Sequence, residues 1–142
     1  MREIISKLNV VWGGVIKEID FDLLSNSIQI NLDVVENGEV NNHSLKFEKV
    51  SAHYFVRNNG SERLNYFNED NDHDNSSYLE LTSIDYYENG IGKLSVNSSS
   101  ESWVTEYYSS ANFAIEIWSS MLFIESNTLI IDGVQFNLPN MK

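Results

Sequence analysis

The sequence predicts a mainly β protein, a single-domain antiparallel β-sandwich or partly closed barrel over residues 1–142 with a short N-terminal helix. Three observations predict it. Apolar and polar residues alternate with a period of two over long stretches, the pattern of half-buried strands. Asn37-Gly38, Asn89-Gly90 and Asp132-Gly133 interrupt those stretches, and such pairs tolerate the positive φ values of tight hairpin turns. Hydrophobic residues make up 42% and aromatic residues 12% of the 142 positions, which suffices for one core.

Along the chain, Ile4, Ile5, Leu8, Val11 and Trp12 recur at helical spacing and Gly13-Gly14 follows, so residues 2–11 form an amphipathic helix that plugs or flanks the sheet. The period then changes to two. Ile19, Phe21 and Leu23 face the core while Glu18, Asp20 and Asp22 face solvent, and Ser25, Asn26 and Ser27 turn the chain. Residues 28–35 repeat the pattern with Ile28, Ile30, Leu32 and Val34 inward. Leu45, Phe47, Val50, Tyr54 and Val56 mark a further strand whose register slips at a bulge near Ser51. His43 is read as an exposed hairpin residue, and His53 as a packed or face residue of that strand. Arg57–Ser77 has no periodicity and is polar, the mark of a long connection. Residues 78–87 and 91–97 pair as a hairpin about Asn89-Gly90. A helix can be drawn through residues 113–124, but β-branched and aromatic enrichment favours strands there and over 129–138. The echo between Asp33–Gly38 and Asp85–Gly90 ends after six residues, so shared turn chemistry explains it better than duplication.

Twenty-one Asp and Glu oppose nine Lys and Arg, a formal net charge of -12. Because the chain can build a core, this charge decorates a folded surface, repels nucleic acid and anionic membranes, and favours a basic protein partner. Cysteine is absent, which removes disulfides, thiolate metal ligands and a thiol nucleophile. Met1–Val11 lacks an apolar signal core, and no run approaches the roughly 20 apolar residues of a membrane span, so a soluble cytoplasmic protein is expected. No pattern fixes the oligomeric state.

Chemistry-bearing constellations are sparse. Glu69 to Asn75 is the densest acidic cluster, yet with Asp70 first, a Ca²⁺ loop meets Asn75 where its glycine belongs and Leu81 where its bidentate Glu belongs. His43, His53 and His73 have no metal-ligand spacing, and no phosphate loop or nucleophile elbow occurs. Glu80, Asp85, Glu106 and Glu116 offer no selectable acid–base pair for a glycosidase. No catalytic residue, metal or cofactor is therefore assigned. Tyr86-Tyr87, Tyr107-Tyr108, Trp103 and Trp118 put one ring of each pair in the core and one at the surface, where it serves equally as interface anchor or cross-strand stabiliser. The expected partner-binding surface is Glu101, Trp103, Glu106, Tyr108 and Glu116, with Asp70, Asp72 and Asp74 as a second patch.

Trp12-Gly13-Gly14, Ile19-Asp20-Phe21-Asp22, Val50–Val56, Tyr78–Ile84, Glu88–Gly92 and Asn112–Trp118 together resemble the YxiG-like family of small proteins from Gram-positive spore-formers. The likeness extends over nearly the whole chain, in structural phrases without catalytic residues to carry over. The resemblance implies genes near secreted polymorphic toxins, hence a cytoplasmic immunity protein that neutralises a toxin domain. The alternative is a small-ligand-binding β-barrel whose lumen the aromatics line.

Overall fold

Ile4 and Leu8 sit one turn apart on helix α1 (Arg2–Asn9), and with Val11 in the turn beyond it they are fully buried. In this computed structural model, which describes residues 2–57, 79–92, 94–95, 100–101 and 108–139, the helix sits close to the place its apolar spacing predicts. Trp12 Nε1 donates to the Ile84 carbonyl at 3.1 Å and Gly13 N to the Leu81 carbonyl at 2.7 Å, which fastens the helix end to the sheet. Gly14 opens the first strand under tight contact: a Cβ there would lie 2.6 Å from Leu32 Cδ1 and 3.1 Å from the Val11 carbonyl oxygen. A side chain there would have to displace Leu32 and press on the Val11 carbonyl, so glycine is the residue this close approach favours.

The strands are β1 (Gly14–Asp22), β2 (Ser27–Glu36), β3 (Glu39–Val56), β4 (Leu79–Tyr86), β5 (Leu94–Ser95), β6 (Tyr108–Ser109), β7 (Phe113–Ile117), β8 (Ser120–Ile131) and β9 (Val134–Asn137). Seven of them build one antiparallel sheet in the order β3-β2-β1-β4-β7-β8-β9, and a further pairing of β3 with β8 bends it into a ring. β5 and β6 pair separately. The mainly β, antiparallel expectation holds, including strands over residues 113–131.

Inside the ring, Ile28, Ile30, Leu32 and Val34 of β2 are buried as their alternation predicts, and they meet Leu45, Phe47, Phe113, Ile115, Leu122, Ile124 and Leu129. Phe113 is the hub. Its ring lies edge-on to Phe47 at 5.0 Å and tilted against Tyr86 at 5.2 Å, geometries that aromatic quadrupoles favour. Tyr86 is half-buried and its neighbour Tyr87 is 42% exposed, the split expected of adjacent aromatics in a strand.

Two Gly-containing turns behave as predicted. Asn37 and Gly38 (φ 53° and 81°) join β2 to β3, and Asp132 and Gly133 (φ 49° and 86°) join β8 to β9, both with the paired positive φ of tight hairpins. Asn89-Gly90 does not make the third hairpin. Only Gly90 has positive φ, its N–H closes a turn on Tyr87 O, and a Cβ there would collide with Ser110. Ile91 N therefore bonds Ala111 O, Leu94 pairs with Ser109, and β4 takes β1 and β7 as partners rather than residues 91–97.

The predicted bulge in β3 is present: its register against β8 shifts between Val50 and Ala52, with Lys49 at φ 55°. A second bulge, which the sequence pattern does not predict, interrupts β1 between Ile16 and Glu18 and alters the second half of the strand. Phe21 and Leu23, expected inside, are 43% and 75% exposed. β1 pairs with β4 only through Gly14–Ile16, so its second half runs past the covered core to the mouth of the ring. His43, expected exposed, is half-buried between the two ends of its neighbouring hairpins.

Candidate interaction site

At the mouth of the ring the β1–β2 turn abuts the β3 bulge, and an open groove of about 330 Å³ lies between them. Asp22 shapes the turn: its Oδ1 accepts from Leu24 N at 3.1 Å and Ser25 N at 3.2 Å. Donation from Ser25, then from Leu24, holds its carboxyl below the ordinary Asp value. On the other side the bulge is pinned by Glu125, 5% exposed, whose carboxylate accepts from Ser51 Oγ at 2.7 Å. Val50 N donates to Asn26 O at 2.9 Å, which locks the turn to the bulge. Ile28 and Val50 form the apolar floor.

Register decides which side chains face this groove. His53 stands opposite Ile124 and Phe55 opposite Leu122, and both partners are buried, so His53 and Phe55 belong to the inner side of the sheet. Phe21 likewise stands opposite buried Ile28, and its ring stacks on His53 at 5.1 Å. Arg57 lies over Phe55 at 5.5 Å from the ring centroid, within cation–π range. Leu23, Leu24, Phe55 and Val56 are 75%, 98%, 44% and 43% exposed, which makes this end of the molecule an apolar rim.

The outer face beside it is acidic. Glu18, Asp20 and Asp22 are exposed at alternate positions of β1, roughly 7 Å apart, opposite Asn31, Gln29 and Ser27 of β2. Asn31 Nδ2 donates to Glu18 Oε1 at 3.0 Å, and among the described residues none of the three carboxylates has an ion pair.

Of the residues singled out from sequence, Glu101 is exposed, and Glu116 is half-buried on β7 where its Oε1 accepts from Ser83 Oγ at 3.3 Å. Tyr108 lies on β6, paired with Ser95. Trp103, Glu106, Asp70, Asp72 and Asp74 lie outside the described residues. Trp118, at φ 53° between β7 and β8, is tied to β4: its N donates to Thr82 Oγ1 at 3.1 Å and its Nε1 to Glu80 Oε1 at 3.2 Å. The sequence pattern reads Phe21 and His53, which line the groove, as core or face residues and not as binding residues. Leu23-Leu24 directly before a polar turn was the available signal, because two adjacent apolar residues at a strand end cannot both be buried.

A second cluster is structural. His43 Nδ1 lies 2.7 Å from Asp132 Oδ2, its Nε2 lies 3.5 Å from Glu36 Oε1, and Asp132 Oδ1 accepts from Ser44 N at 2.8 Å. Burial pushes the imidazole pKa down, but the facing carboxylates of Asp132 and Glu36 outweigh it, and the net shift is upward. A raised folded-state value means the clamp stabilises fully below the unfolded-chain value near 6.5 and is lost as pH rises through the folded value. The denaturation midpoint should therefore fall between about pH 6 and about pH 8, and His43→Asn should flatten that fall. An equal slope in the variant would assign the pH dependence elsewhere.

Among the described residues no helix is long and apolar enough to cross a membrane, and none group three or more His, Asp or Glu for a metal ion. A family model described as YxiG-like protein matches residues 4–136. The chain is also 27% identical over 124 residues to the uncharacterized protein YxiG of Bacillus subtilis (strain 168), covering 87% of this chain and 83% of that protein.

Proposed function

The chain belongs to the YxiG-like protein family, and on that premise we propose that it is a non-enzymatic acidic interaction protein, most concretely an immunity protein that binds and neutralises a basic toxin domain. The observation that carries the reading is the row of Glu18, Asp20 and Asp22 on the outer face of β1, which ends at the apolar rim of the groove. Long-range attraction from a chain of net charge -12 accelerates encounter with a cationic surface, and desolvated apolar contacts then set the residence time. Glu101, Glu116, Trp103, Glu106, Tyr108, Asp70, Asp72 and Asp74 remain candidates for the same partner. A small-ligand carrier would use the lumen of the ring, and that space holds the packed core.

The test is association with the basic protein encoded by an adjacent gene in the chain's own genome. Replacing Glu18 and Asp20 together by Lys should slow association by at least about tenfold while leaving the thermal midpoint close to that of the parent, since both side chains are exposed and neither caps the turn as Asp22 does. An unchanged association rate would remove this face from the interface.

A further inference from the structure

We propose that Asn37 is a site of spontaneous deamidation, converted by water to aspartate and isoaspartate, while Asn89 in the same Glu-Asn-Gly tripeptide is shielded by the fold around it. The inference does not depend on the partner-binding reading. The chain carries this tripeptide at Glu36–Gly38 and again at Glu88–Gly90, and a further Asn-Gly pair, Asn59-Gly60, lies outside the described residues. Glycine after asparagine leaves the attacking nitrogen unobstructed by any side chain. The local sequence therefore treats Asn37 and Asn89 alike, and the surroundings separate them.

In the reaction the glycine backbone nitrogen attacks Asn Cγ, the Cγ–Nδ2 bond breaks, and a cyclic imide forms. The proton of the glycine N–H leaves, through water, with the departing ammonia. Water then opens the imide. Cleavage between Cγ and the glycine nitrogen restores the ordinary chain as Asp, and cleavage at the backbone carbonyl routes the chain through Cγ as isoaspartate. One water is consumed and one ammonia released, with no oxidation or reduction.

The step needs a free glycine nitrogen and a turn that can open. Asn37 and Gly38 are both exposed, and among the described residues Gly38 N donates to no acceptor. Beyond its chain neighbours, nothing lies within 4 Å of the place where a Gly38 Cβ would stand. Opening this two-residue turn disturbs only the terminal Glu36–Glu39 pair of the ladder. Gly90 is held instead. Its N–H donates to Tyr87 O at 3.0 Å, a Cβ there would meet Ser110 Cβ at 3.0 Å, and Ile91 N donates to Ala111 O at 2.9 Å just beyond it. Freeing Gly90 N breaks backbone hydrogen bonds and packing together.

The product lands among carboxylates. It adds a negative charge between Glu36 and Glu39 on a chain of net -12. The isoaspartyl form also adds a backbone methylene to the turn, next to Glu36, whose Oε1 accepts from Asn41 Nδ2 at 2.6 Å and lies 3.5 Å from His43 Nε2.

The test incubates the full chain at physiological temperature and mildly alkaline pH, folded and in concentrated urea. Proteolytic peptides carrying Asn37 or Asn89 are then resolved by mass spectrometry into amide, aspartyl and isoaspartyl forms. In the folded chain Asn37 should convert at least about tenfold faster than Asn89, because a backbone hydrogen bond and its packing must open first at Asn89. In urea the two rates should agree within about threefold, since neither turn persists there. Comparable rates in the folded chain, a faster Asn89, or an Asn37 that does not convert would overturn the proposal. So would an equal preference for Asn37 in urea, which would assign the difference to flanking sequence.

Discussion

Replacing Phe113 by alanine should destabilise the protein by about 3–5 kcal/mol, a large part of the total stability of about 5–15 kcal/mol usual for a domain. The ring is 0% exposed and packs edge-on to Phe47 at 5.0 Å and against Tyr86 at 5.2 Å. Its strand β7 pairs with β4 on one side and β8 on the other, so Phe113 stands beside both Tyr86 and Ile124. Truncation would leave a void among Phe47, Tyr86 and Ile124, with loss of the ring's transfer and dispersion energy. Chemical denaturation gives the number directly, and a loss below about 1 kcal/mol would mean that the ring's core is more plastic than its contacts imply.

The second large effect is expected at Asn112, whose side chain acts as a strand residue. β8 pairs through one edge with β7 at Ser120–Ile124 and with β9 at Thr128–Ile131, which leaves a gap at residues 125–127. Asn112 fills it: its Nδ2 donates to Ser126 O at 2.8 Å and its Oδ1 accepts from Ser126 N at 3.1 Å, while Leu138 N donates to Asn127 O at 2.8 Å. Asn112 and Ser126 are each 1% exposed, so water has no access to replace the lost bonds. Asn112→Leu keeps the branched shape but strands a buried N–H and a buried C=O, at a loss of about 2–4 kcal/mol. Amide exchange supplies the specific readout, because protection at Ser126 should fall more than at Ile124 on the neighbouring ladder. Uniform change across β8 would contradict the bridging role.

Where one physical rule governed a segment, the sequence was sufficient. The alternation through Ile28 to Val34 is undisturbed by bulges and reads directly as a buried face. Asn37-Gly38 and Asp132-Gly133 leave the chain little choice but a tight turn. The slip at Ser51 was legible because apolar positions change parity there. What failed depended on distant parts of the chain. The early parting of β1 from β4 leaves Phe21 and Leu23 exposed, and no local pattern near residue 20 records where β4 begins. Asn89-Gly90 looked like its two hairpin counterparts, yet packing against Ser110 and pairing across to Ala111 selected a different turn. His43 is drawn in by Asp132, far along the chain, and Asn112 acquires its role only once β7 and β9 share an edge of β8.

The site was less legible than the fold for the same reason. The acidic row of β1 follows from alternation alone, and Glu18, Asp20 and Asp22 do face outward. The groove arises where a hairpin tip meets a bulge, two features that sit about thirty residues apart and gain meaning only when β3 is laid beside β2.

Stopped-flow association of the intact chain with its cationic partner across a range of salt tests the central idea most directly. Between about 0.05 M and about 0.5 M NaCl the association rate should fall at least about tenfold with little change in the dissociation rate, as screening removes long-range attraction and leaves apolar contacts in place. An association rate indifferent to salt would contradict an acidic surface built to capture a basic protein.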